Sequence, residues 1–435
     1  MNELDKEEIT RVGPGTLMGN FMRQYWIPAL KSTELIADAP PTRLKLFNEK
    51  LIAFRDSSGR PGIFNHECPH RCASLFLGRN EKDGLRCIYH GWKFDVNGQC
   101  LDMPNVSPNP NIQSKIKAKA YKVLERSGVI WVYLGESKTP PLFPEIEATL
   151  LPESELVVDF MLRKCNWLQA LDGEIDTSHI GFLHWGCLDA QDIPEGHPLE
   201  HIKDAIPQYH VCETEWGTHY SAYRFINGEK EIYWRSANFL YPFWTQTPQG
   251  EFASNVNARA WVPLDDENTM FIYFRWTKRP NYQIPLKNGL APGGNKPMPE
   301  YIDNTTDWLG RWRLKADASN DWLIDRYAQS SGLIFSGIDN IHLQDQAVTE
   351  SMGAIANQLN EHLVSADLMI AKTRKVILKA ARDFRDHGKT PPGLEHPEVF
   401  MGARSGYFIT PPTITWGQAY KDQVQTAIRP KLDNK

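Results

Sequence analysis

The sequence has no surplus of basic residues: 48 lysines and arginines stand against 53 aspartates and glutamates, for a net charge of −5. A nucleic-acid-binding protein needs a basic face that neutralises phosphates, so no nucleic-acid partner is expected. Long apolar runs are also missing, and the stretch at Val129–Leu134 is far shorter than the roughly 20 residues that cross a bilayer. The N-terminus, Met1–Glu8, is acidic and lacks an apolar core. We therefore expect no secretory signal, no membrane partner and a cytoplasmic location.

Cysteine is scarce, with 7 residues in a chain of 435, so a disulfide framework is not expected. In a reducing compartment, cysteines and histidines that cluster point to a metal instead. We find no internal repeat and no glycine-rich loop of the kind that binds nucleotides. The composition, 41% hydrophobic and 23% charged, is typical of a globular protein. Its length predicts two domains, one of them large.

The order of predicted elements indicates a small all-β part followed by a larger α+β part, with the Pro-rich connector Lys138–Pro144 as the candidate boundary. Before the connector we predict a helix over residues 17–28, ended by Pro28, and then strands, including 51–54, 115–123 and 129–134. After it we predict a helix over 166–185, β-rich stretches at 208–240 and 253–277, an exposed loop at 280–300 and a long helix over 345–384. Residues 348, 352, 355 and 359 would share one face of that helix.

Two short segments, Cys68-Pro-His70 and Cys87-Ile-Tyr-His90, each offer one thiolate and one imidazole, and residues 71–86 separate them. Zinc sites favour pairs of cysteines and pairs of histidines, so this pattern is unusual for zinc. It suits a [2Fe–2S] centre in which two cysteines hold one iron and two histidines hold the other. A zinc-binding scaffold is the alternative reading. Cys72, beside the first segment, is predicted to be a small buried residue without a disulfide partner.

The segments 66–71 and 87–94 closely resemble the Rieske signature of aromatic-ring-hydroxylating oxygenases. The resemblance implies that Cys68, His70, Cys87 and His90 bind a Rieske [2Fe–2S] cluster. Because imidazoles replace two thiolates, such a cluster has a raised reduction potential and accepts an electron readily from a reductase.

A second group of metal-binding residue types lies in the segment 172–184, with Asp176, His179 and His184. In a regular helix, histidines five residues apart are about 140° apart, so one metal can bind both only if the helix bends between them. Gly181 makes such a bend plausible. Two histidines and a carboxylate form the facial set that leaves positions open for O₂ on ferrous iron.

This segment closely resembles the catalytic iron motif of Rieske oxygenases. The resemblance implies that His179 and His184 bind mononuclear Fe(II) and that Asp176 is the bridging aspartate between a bound histidine and a Rieske histidine. Many relatives have asparagine at or near Asp172, so the roles of Asp172 and Glu174 stay open. The segment 344–353 resembles the one that supplies the third ligand. Asp345 matches best, with the rivals Asp339 and Glu350.

The resemblance extends over almost the whole chain and points to the phthalate dioxygenase branch of the family. It implies an N-terminal helix and Rieske domain over residues 1–144, with its cluster core at about 42–135. A catalytic domain over 145–435 follows, with an antiparallel sheet covered by helices in a helix-grip arrangement. It also implies a homotrimer or stacked hexamer in which electrons cross between neighbouring subunits. A separate reductase with a flavin and a plant-type iron–sulfur cluster would oxidise NADH.

The implied activity is that of a terminal oxygenase that uses O₂ to hydroxylate an aromatic acid, with ring dihydroxylation of a phthalate-like compound favoured. The alternatives are oxidative O-demethylation of a methoxylated aromatic acid and a non-catalytic electron-transfer protein. A carboxylate substrate needs a cation, best an arginine. Three arginines lie on predicted strands of the catalytic domain: Arg224, Arg235 and Arg259. Three aromatic residues are candidate walls of a pocket, although core packing explains them equally well: Trp234, Phe243 and Trp244.

Overall fold

The computed structural model describes residues 1–108, 110–184, 206–278 and 299–433. The first two helices are α1 (Glu3–Thr10) and α2 (Leu17–Met22). The predicted helix over 17–28 is therefore too long, because Pro28 lies inside the strand β1 (Trp26–Lys31). There the pairing register shifts between Pro28 and Leu30. β1 is an edge strand, and such an irregularity at an edge tolerates a proline that cannot donate a ladder hydrogen bond.

The N-terminal part folds into three small antiparallel sheets, ordered β1-β10-β9, β2-β3-β4 and β5-β6-β7-β8. Their remaining strands are β2 (Thr42–Leu46), β3 (Glu49–Arg55), β4 (Pro61–Asn65), β5 (Arg79–Glu81), β6 (Gly84–Arg86), β7 (Lys93–Phe94), β8 (Cys100–Asp102), β9 (Lys122–Arg126) and β10 (Val129–Tyr133). A short helix, α3 (Pro110–Gln113), follows β8.

The predicted strand over 115–123 is wrong except at its end. Its backbone bonds alternately to two different segments: Ala118 N–H donates to Gly98, whereas Tyr121 N–H donates to Ile63. Because neither neighbour runs alongside for more than a residue or two, only isolated bridges form. The alternating polar and apolar residues of this segment thus indicate that it is half-buried, although it forms no continuous ladder of hydrogen bonds with a neighbouring strand.

The larger part is built on an eight-stranded antiparallel sheet ordered β11-β17-β16-β15-β14-β13-β12, with β18 also paired to β14. Its strands are β11 (Leu156–Arg163), β12 (Gln208–Thr214), β13 (Gly217–Ile226), β14 (Glu231–Leu240), β15 (Trp244–Gln246), β16 (Asn257–Pro263), β17 (Thr269–Trp276) and β18 (Gly406–Thr410). Both predicted β-rich stretches are confirmed. The predicted loop at 280–300 lies almost entirely outside the described residues, as does Cys187.

The helices of this part are α4 (Trp167–Ile175), α5 (Arg326–Ser330), α6 (Ile341–Ser351), α7 (Leu368–His387) and α8 (Trp416–Thr426). Of these, α4, α7 and α8 pack against the sheet, and α6 packs against α4. The long helix predicted over 345–384 is two helices, α6 and α7. Gly353, at φ +90°, adopts the left-handed conformation that ends helices, and its N–H donates to the Glu350 carbonyl. The apolar spacing from 348 to 359 therefore crosses a helix end, and Val348 and Met352 are exposed.

The helix predicted over 166–185 ends ten residues early, at Ile175. Asp176 leaves the helix in an extended conformation, and its carboxylate accepts hydrogen bonds from the backbone and hydroxyl of Ser178, each 2.7 Å. This side-chain turn competes with helix propagation. A 3₁₀ turn, Ser178–Gly181, follows. Trp185 itself lies outside the described residues.

The two ends of the N-terminal part lie in different cores. Strands β1 and β10 belong to the main core, where Trp131 stacks on Trp244 and Phe274 at centroid distances of 5.9 and 5.8 Å. The other end of the N-terminal part, called the tip, has a separate core that includes Cys68, Cys87 and Trp92. The predicted domain boundary at residue 144 stays a prediction. No helix in the described part of the chain is long and apolar enough to cross a membrane.

Candidate metal centres

The two cysteine–histidine loops at the tip have the same backbone shape. In the first, Cys72 N–H donates to the Cys68 carbonyl at 2.9 Å, and in the second, Gly91 N–H donates to the Cys87 carbonyl at 3.0 Å. The last residue of each turn is left-handed, at φ +57° for Cys72 and +76° for Gly91. Cys72 thus occupies the position of a glycine and is exposed, so the prediction that it is buried is wrong.

The four predicted cluster ligands converge. Cys68 and Cys87 are buried and their thiols are in contact. The His70 and His90 rings lie 4.4 Å apart between centroids. His70 also stacks on Trp92 at 4.3 Å, and the Trp92 indole donates to Asn105 at 2.7 Å, which fixes the stack.

This donor set fits a metal cluster. Burial, together with the neighbouring Cys87 thiol, raises the pKa of Cys68 to about 11, so two thiolates side by side need a positive centre to form. The Nδ1 atom of His90 is buried without a hydrogen-bond partner in the described part of the chain. A buried ring nitrogen without a partner is costly, and metal ligation satisfies it.

A second convergence lies between α4 and α6, where His179, His184 and Asp345 place one ligand atom each within 4.8 Å of one another. The two Nε2 atoms are 3.1 Å apart. The Asp345 Oδ1 lies 3.3 Å from Nε2 of His184 and 3.7 Å from Nε2 of His179. The bend that the sequence required is supplied by the end of α4 at Ile175 and the 3₁₀ turn after it. Two imidazoles and a carboxylate on one side fit a ferrous ion.

Asp176 orients His179. Its carboxylate lies 3.4 Å from Nδ1 of His179, which leaves Nε2 on the side of Asp345. Burial alone would raise the pKa of Asp176, but the contacts with His179 and Ser178 hold it below its ordinary value. The carboxylate therefore stays ionised and accepts the Nδ1 hydrogen.

The other carboxylates of this region have structural partners. Glu350 accepts from the Lys164 backbone, the Trp322 indole and the Gln346 amide at 2.8–2.9 Å. Asp339 does not belong to the three-residue group found among the described residues. The rivals of Asp345 are thus not placed with the two histidines.

Asp172 and Glu174 both form buried ion pairs. Asp172 accepts two hydrogen bonds from Arg374, at 2.6 and 3.0 Å, and burial raises its pKa to about 6. Glu174 pairs with Arg259, whose guanidinium also lies 4.5 Å from the Tyr273 ring. These pairs account for two positions that the sequence left open. Arg259 is thereby already neutralised.

Arg235 and Arg224 are buried on adjacent strands, β14 and β13. Among the described residues, Arg235 makes one long hydrogen bond, 3.4 Å, to the Tyr233 hydroxyl, and its Nε has no hydrogen-bond partner. No carboxylate in the described part of the chain lies within ion-pair distance of it. Neighbouring residues on a strand face opposite sides of the sheet. Trp234 packs against α8, so Arg235 faces the other side of the sheet, on which α4 lies.

The predicted aromatic walls belong to cores. Trp234 packs with Phe252, Phe408 and Ala419 on the far face of the sheet. Phe243 and Trp244 lie in the main core. A cavity of about 290 Å³ does reach the site: it contacts Asp176, His179 and Asp345 and is walled by α4, α6, α7 and residues 361–363.

Sequence reasoning missed Gln344, which contacts His184, and Arg374, which contacts Asp172. The only signal for Gln344 was its place beside Asp345. For Arg374 there was none, since 202 positions separate it from its partner.

Comparison with known proteins identifies both parts of the chain. Residues 25–122 match the family described as Rieske [2Fe–2S] domain, and residues 132–435 match the one described as LigXa C-terminal domain like. The chain is 50% identical over 428 residues to the 3-chlorobenzoate-3,4-dioxygenase oxygenase subunit of Comamonas testosteroni, covering 98% of this chain and 99% of that one. It is 32% identical to the phthalate 4,5-dioxygenase oxygenase subunit of Pseudomonas putida, covering 87% and 85% of the two chains.

Among solved structures, the chain is similar to Pseudomonas putida CBB5 NdmA with caffeine. The match has a TM-score of 0.56 at 20% sequence identity and covers 92% of this chain and 100% of that chain. At this identity the likeness shows the fold alone. The predicted fold, a small all-β Rieske domain and a larger domain with an antiparallel sheet covered by helices, is confirmed.

Proposed function

Because the chain belongs to the Rieske non-haem iron oxygenases, as the oxygenase subunit of a multicomponent system, we propose that it dihydroxylates the ring of an aromatic acid such as a chlorobenzoate or a phthalate. The similarity to subunits named for these substrates extends over nearly the whole chain. The observation that carries the substrate class is Arg235, a buried cation without a carboxylate partner among the described residues.

The residues that would hold the two metal groups are those that converge. Cys68, His70, Cys87 and His90 would hold the [2Fe–2S] cluster, and three further residues would hold Fe(II): His179, His184 and Asp345. When bound, the cluster supplies electrons one at a time and the ferrous ion supplies the centre at which O₂ is activated. Asp176 holds the hydrogen on Nδ1 of His179 and thus leaves Nε2 available.

The carboxylate of the substrate is placed at Arg235. Across three adjacent strands, Tyr209 pairs with Ala222 and Ala222 pairs with Arg235. Because alanine is small, we infer a gap about two strand spacings wide, roughly 10 Å, between the tyrosine and the arginine. The buried Tyr209 hydroxyl also lacks a hydrogen-bond partner among the described residues. Two polar groups thus face a gap that suits an aromatic acid.

This gap lies close to the mononuclear site. Tyr220, which pairs with Ala237 and lies beside Arg235, contacts Thr177, the neighbour of Asp176. A ring held by its carboxylate at Arg235 would therefore lie near the segment that carries Asp176 and His179. The guanidinium orients the substrate, since a charged hydrogen-bonded pair in a buried site fixes both position and direction.

Replacing Arg235 with glutamine is expected to lower kcat/KM for an aromatic acid by about 10- to 100-fold, since hydrogen bonds to a charged group contribute about 1.5–3 kcal/mol. The measurement is steady-state kinetics with 3-chlorobenzoate and with its neutral amide. The kcat/KM for the amide should fall much less, because the neutral amide forms no ion pair with the guanidinium. Arg224→Gln is the matched control on the adjacent strand. If it alone reduces the rate, Arg224 is the anchor and the assignment is wrong.

We also propose a homotrimer, or two trimers stacked as a hexamer, in which Asp176 accepts a hydrogen bond from His90 of the next subunit. Exposed apolar side chains support it. Ile88 and Tyr89 are 59% and 54% exposed beside the cluster loops. Met352 and Leu363, at the cavity that reaches Asp176, are 49% and 44% exposed. Apolar surface of this kind beside both sites is typical of an interface.

The electrons are proposed to come from a separate reductase with a flavin and a plant-type iron–sulfur cluster, in the cytoplasm. The absence of a glycine-rich nucleotide loop from the sequence supports the separate partner.

The proposed function is tested by supplying the purified chain with a reductase of this type, NADH and one candidate acid at a time. We expect O₂ uptake coupled to formation of a ring cis-diol from a chlorobenzoate or phthalate, detected by mass spectrometry. Formaldehyde from a methoxylated acid, without diol from any ring, would instead identify an O-demethylase. Reduction of the cluster without O₂ uptake on any acid would identify an electron-transfer protein.

A further inference from the structure

Gln344 lies on α6, one residue before Asp345, and its side chain is completely buried. Its Oε1 is 2.7 Å from Nδ1 of His184. Its Nε2 donates to the Ile338 carbonyl at 2.7 Å and to the Ser336 hydroxyl at 2.8 Å. Gln344 therefore connects one proposed iron ligand to the turn that precedes α6.

The Ile338 carbonyl determines how this amide is oriented. A carbonyl only accepts, so the group that faces Ile338 must be the NH₂ of Gln344. The amide oxygen then faces His184, and Nδ1 of that histidine must carry a hydrogen. In the neutral imidazole, Nε2 of His184 then has the lone pair, and Nε2 is the atom that lies 3.3 Å from Asp345.

We propose that Gln344 is a positioning residue of the mononuclear site: it holds His184 in the neutral tautomer, with Nε2 directed at the ion, before any metal binds. The inference rests on His184 being a ligand, as proposed above. Gln344 does for His184 what Asp176 does for His179, but without a charge. Outer partners of this kind fix ring orientation and the basicity of the ligand.

The arrangement also couples two ligands mechanically. Gln344 and Asp345 are adjacent on a helix whose start is fixed by Asn340, which accepts from the backbone of His342 and Leu343. Any rotation of α6 would move the third ligand and the partner of His184 together. One helix thus positions two of the three ligand atoms.

The test compares Gln344→Leu with Gln346→Leu by titrating the apo mononuclear site with Co(II) against a chelator. Gln346 is the matched control: it lies on the same helix, is equally buried and bonds to Arg163 and Glu350 instead of a ligand. We expect Gln344→Leu to weaken Co(II) binding by about 10- to 100-fold and to change the visible spectrum of the bound ion. Gln346→Leu should change the affinity less than about 3-fold, with the spectrum intact.

Gln344→Glu adds a rescue. One of its oxygens still faces His184 and accepts the Nδ1 hydrogen, while the other must be protonated to donate to the Ile338 carbonyl, so Gln344→Glu should bind Co(II) more tightly than Gln344→Leu does at a pH where that proton is held. Wild-type affinity in Gln344→Leu, or an equal loss in Gln346→Leu, would overturn the proposal.

His184→Ala tests the ligand assignment separately from the role of Gln344. This variant should lose Co(II) binding whether or not Gln344 positions the histidine. If it keeps Co(II) binding, the assignment of His184 as a ligand is wrong. If Gln344→Leu does not fold, ¹⁵N NMR of the wild-type chain with the mononuclear site empty of metal decides, because a hydrogen on Nδ1 and a lone pair on Nε2 of His184 support the proposal and the reverse contradicts it.

Discussion

Replacing Asp345 with asparagine is expected to empty the mononuclear site and to stop turnover, while the Rieske cluster stays intact. Asp345 is the one anion in the group of three ligand atoms that the structure brings together. An amide of the same size removes that charge and leaves two neutral imidazoles, which bind ferrous iron weakly. Since even changes to outer partners of a metal ligand cost 10- to 100-fold, we expect a loss of at least about 100-fold in iron affinity and in rate.

The measurements are the iron content after dialysis and the O₂ uptake with an aromatic acid. The Rieske EPR signal of the reduced protein serves as the internal reference, since the cluster loops lie in a separate core. A normal iron content in Asp345→Asn would show that another residue supplies the third ligand.

Asp339→Asn and Glu350→Gln are the matched controls, because both remove one carboxylate from the same region. The Glu350 carboxylate accepts hydrogen bonds from Lys164, Trp322 and Gln346. Its amide variant is expected to unfold more easily but to keep its iron. Asp339→Asn is also expected to keep it. Loss of iron in either control, with retention in Asp345→Asn, would transfer the ligand role to that residue.

The parts of the sites that the sequence predicted are those carried by short, local segments. Each cysteine–histidine loop is a single turn of five residues, and His179 and His184 are separated only by the turn that bends the chain between them. Spacing within such segments determines geometry almost directly, so the pattern already indicates which atoms converge.

Interactions between distant segments could not be read in the same way. Glu174 and Arg259 are 85 positions apart, and Asp172 and Arg374 are 202 apart. Which arginine is neutralised depends on which strand faces which helix, and that is a property of the sheet register. Sequence alone therefore left three arginines equivalent, whereas the structure separates Arg259, which is paired, from Arg235, which has no carboxylate partner among the described residues.

The helix prediction across residues 345–384 failed for a related reason. Apolar residues spaced four and three apart indicate one helical face, but the left-handed Gly353 interrupts the helix there. A glycine in a periodic pattern is a weak signal, because helices tolerate one at about 1 kcal/mol. The break separates the helix that carries Asp345 from the helix that carries Arg374.

Asp176→Asn is expected to slow turnover by about 100-fold although both metal groups stay bound when Fe(II) is supplied in excess. The reason lies in the hydrogen bonds of the carboxylate. Its Oδ1 accepts from the backbone and hydroxyl of Ser178, so an asparagine must keep its oxygen there. Its NH₂ then faces Nδ1 of His179, where the wild-type carboxylate accepts a hydrogen. Two donors would meet, and the oxygen proposed to accept from His90 of the next subunit would also be lost.

The step affected is distinguished by mixing the reduced, substrate-loaded protein rapidly with O₂ and following re-oxidation of the cluster by absorbance. If Asp176 connects the two sites, the rate of re-oxidation should fall about as much as turnover does. Asp172→Asn is the control, since it makes the same change four residues earlier on α4, and Arg374 keeps Glu361 as a partner. Its turnover is expected to stay within about 3-fold of wild type. Rapid re-oxidation in Asp176→Asn would place the defect after electron transfer and remove Asp176 from the relay, whereas full turnover would remove it from catalysis altogether.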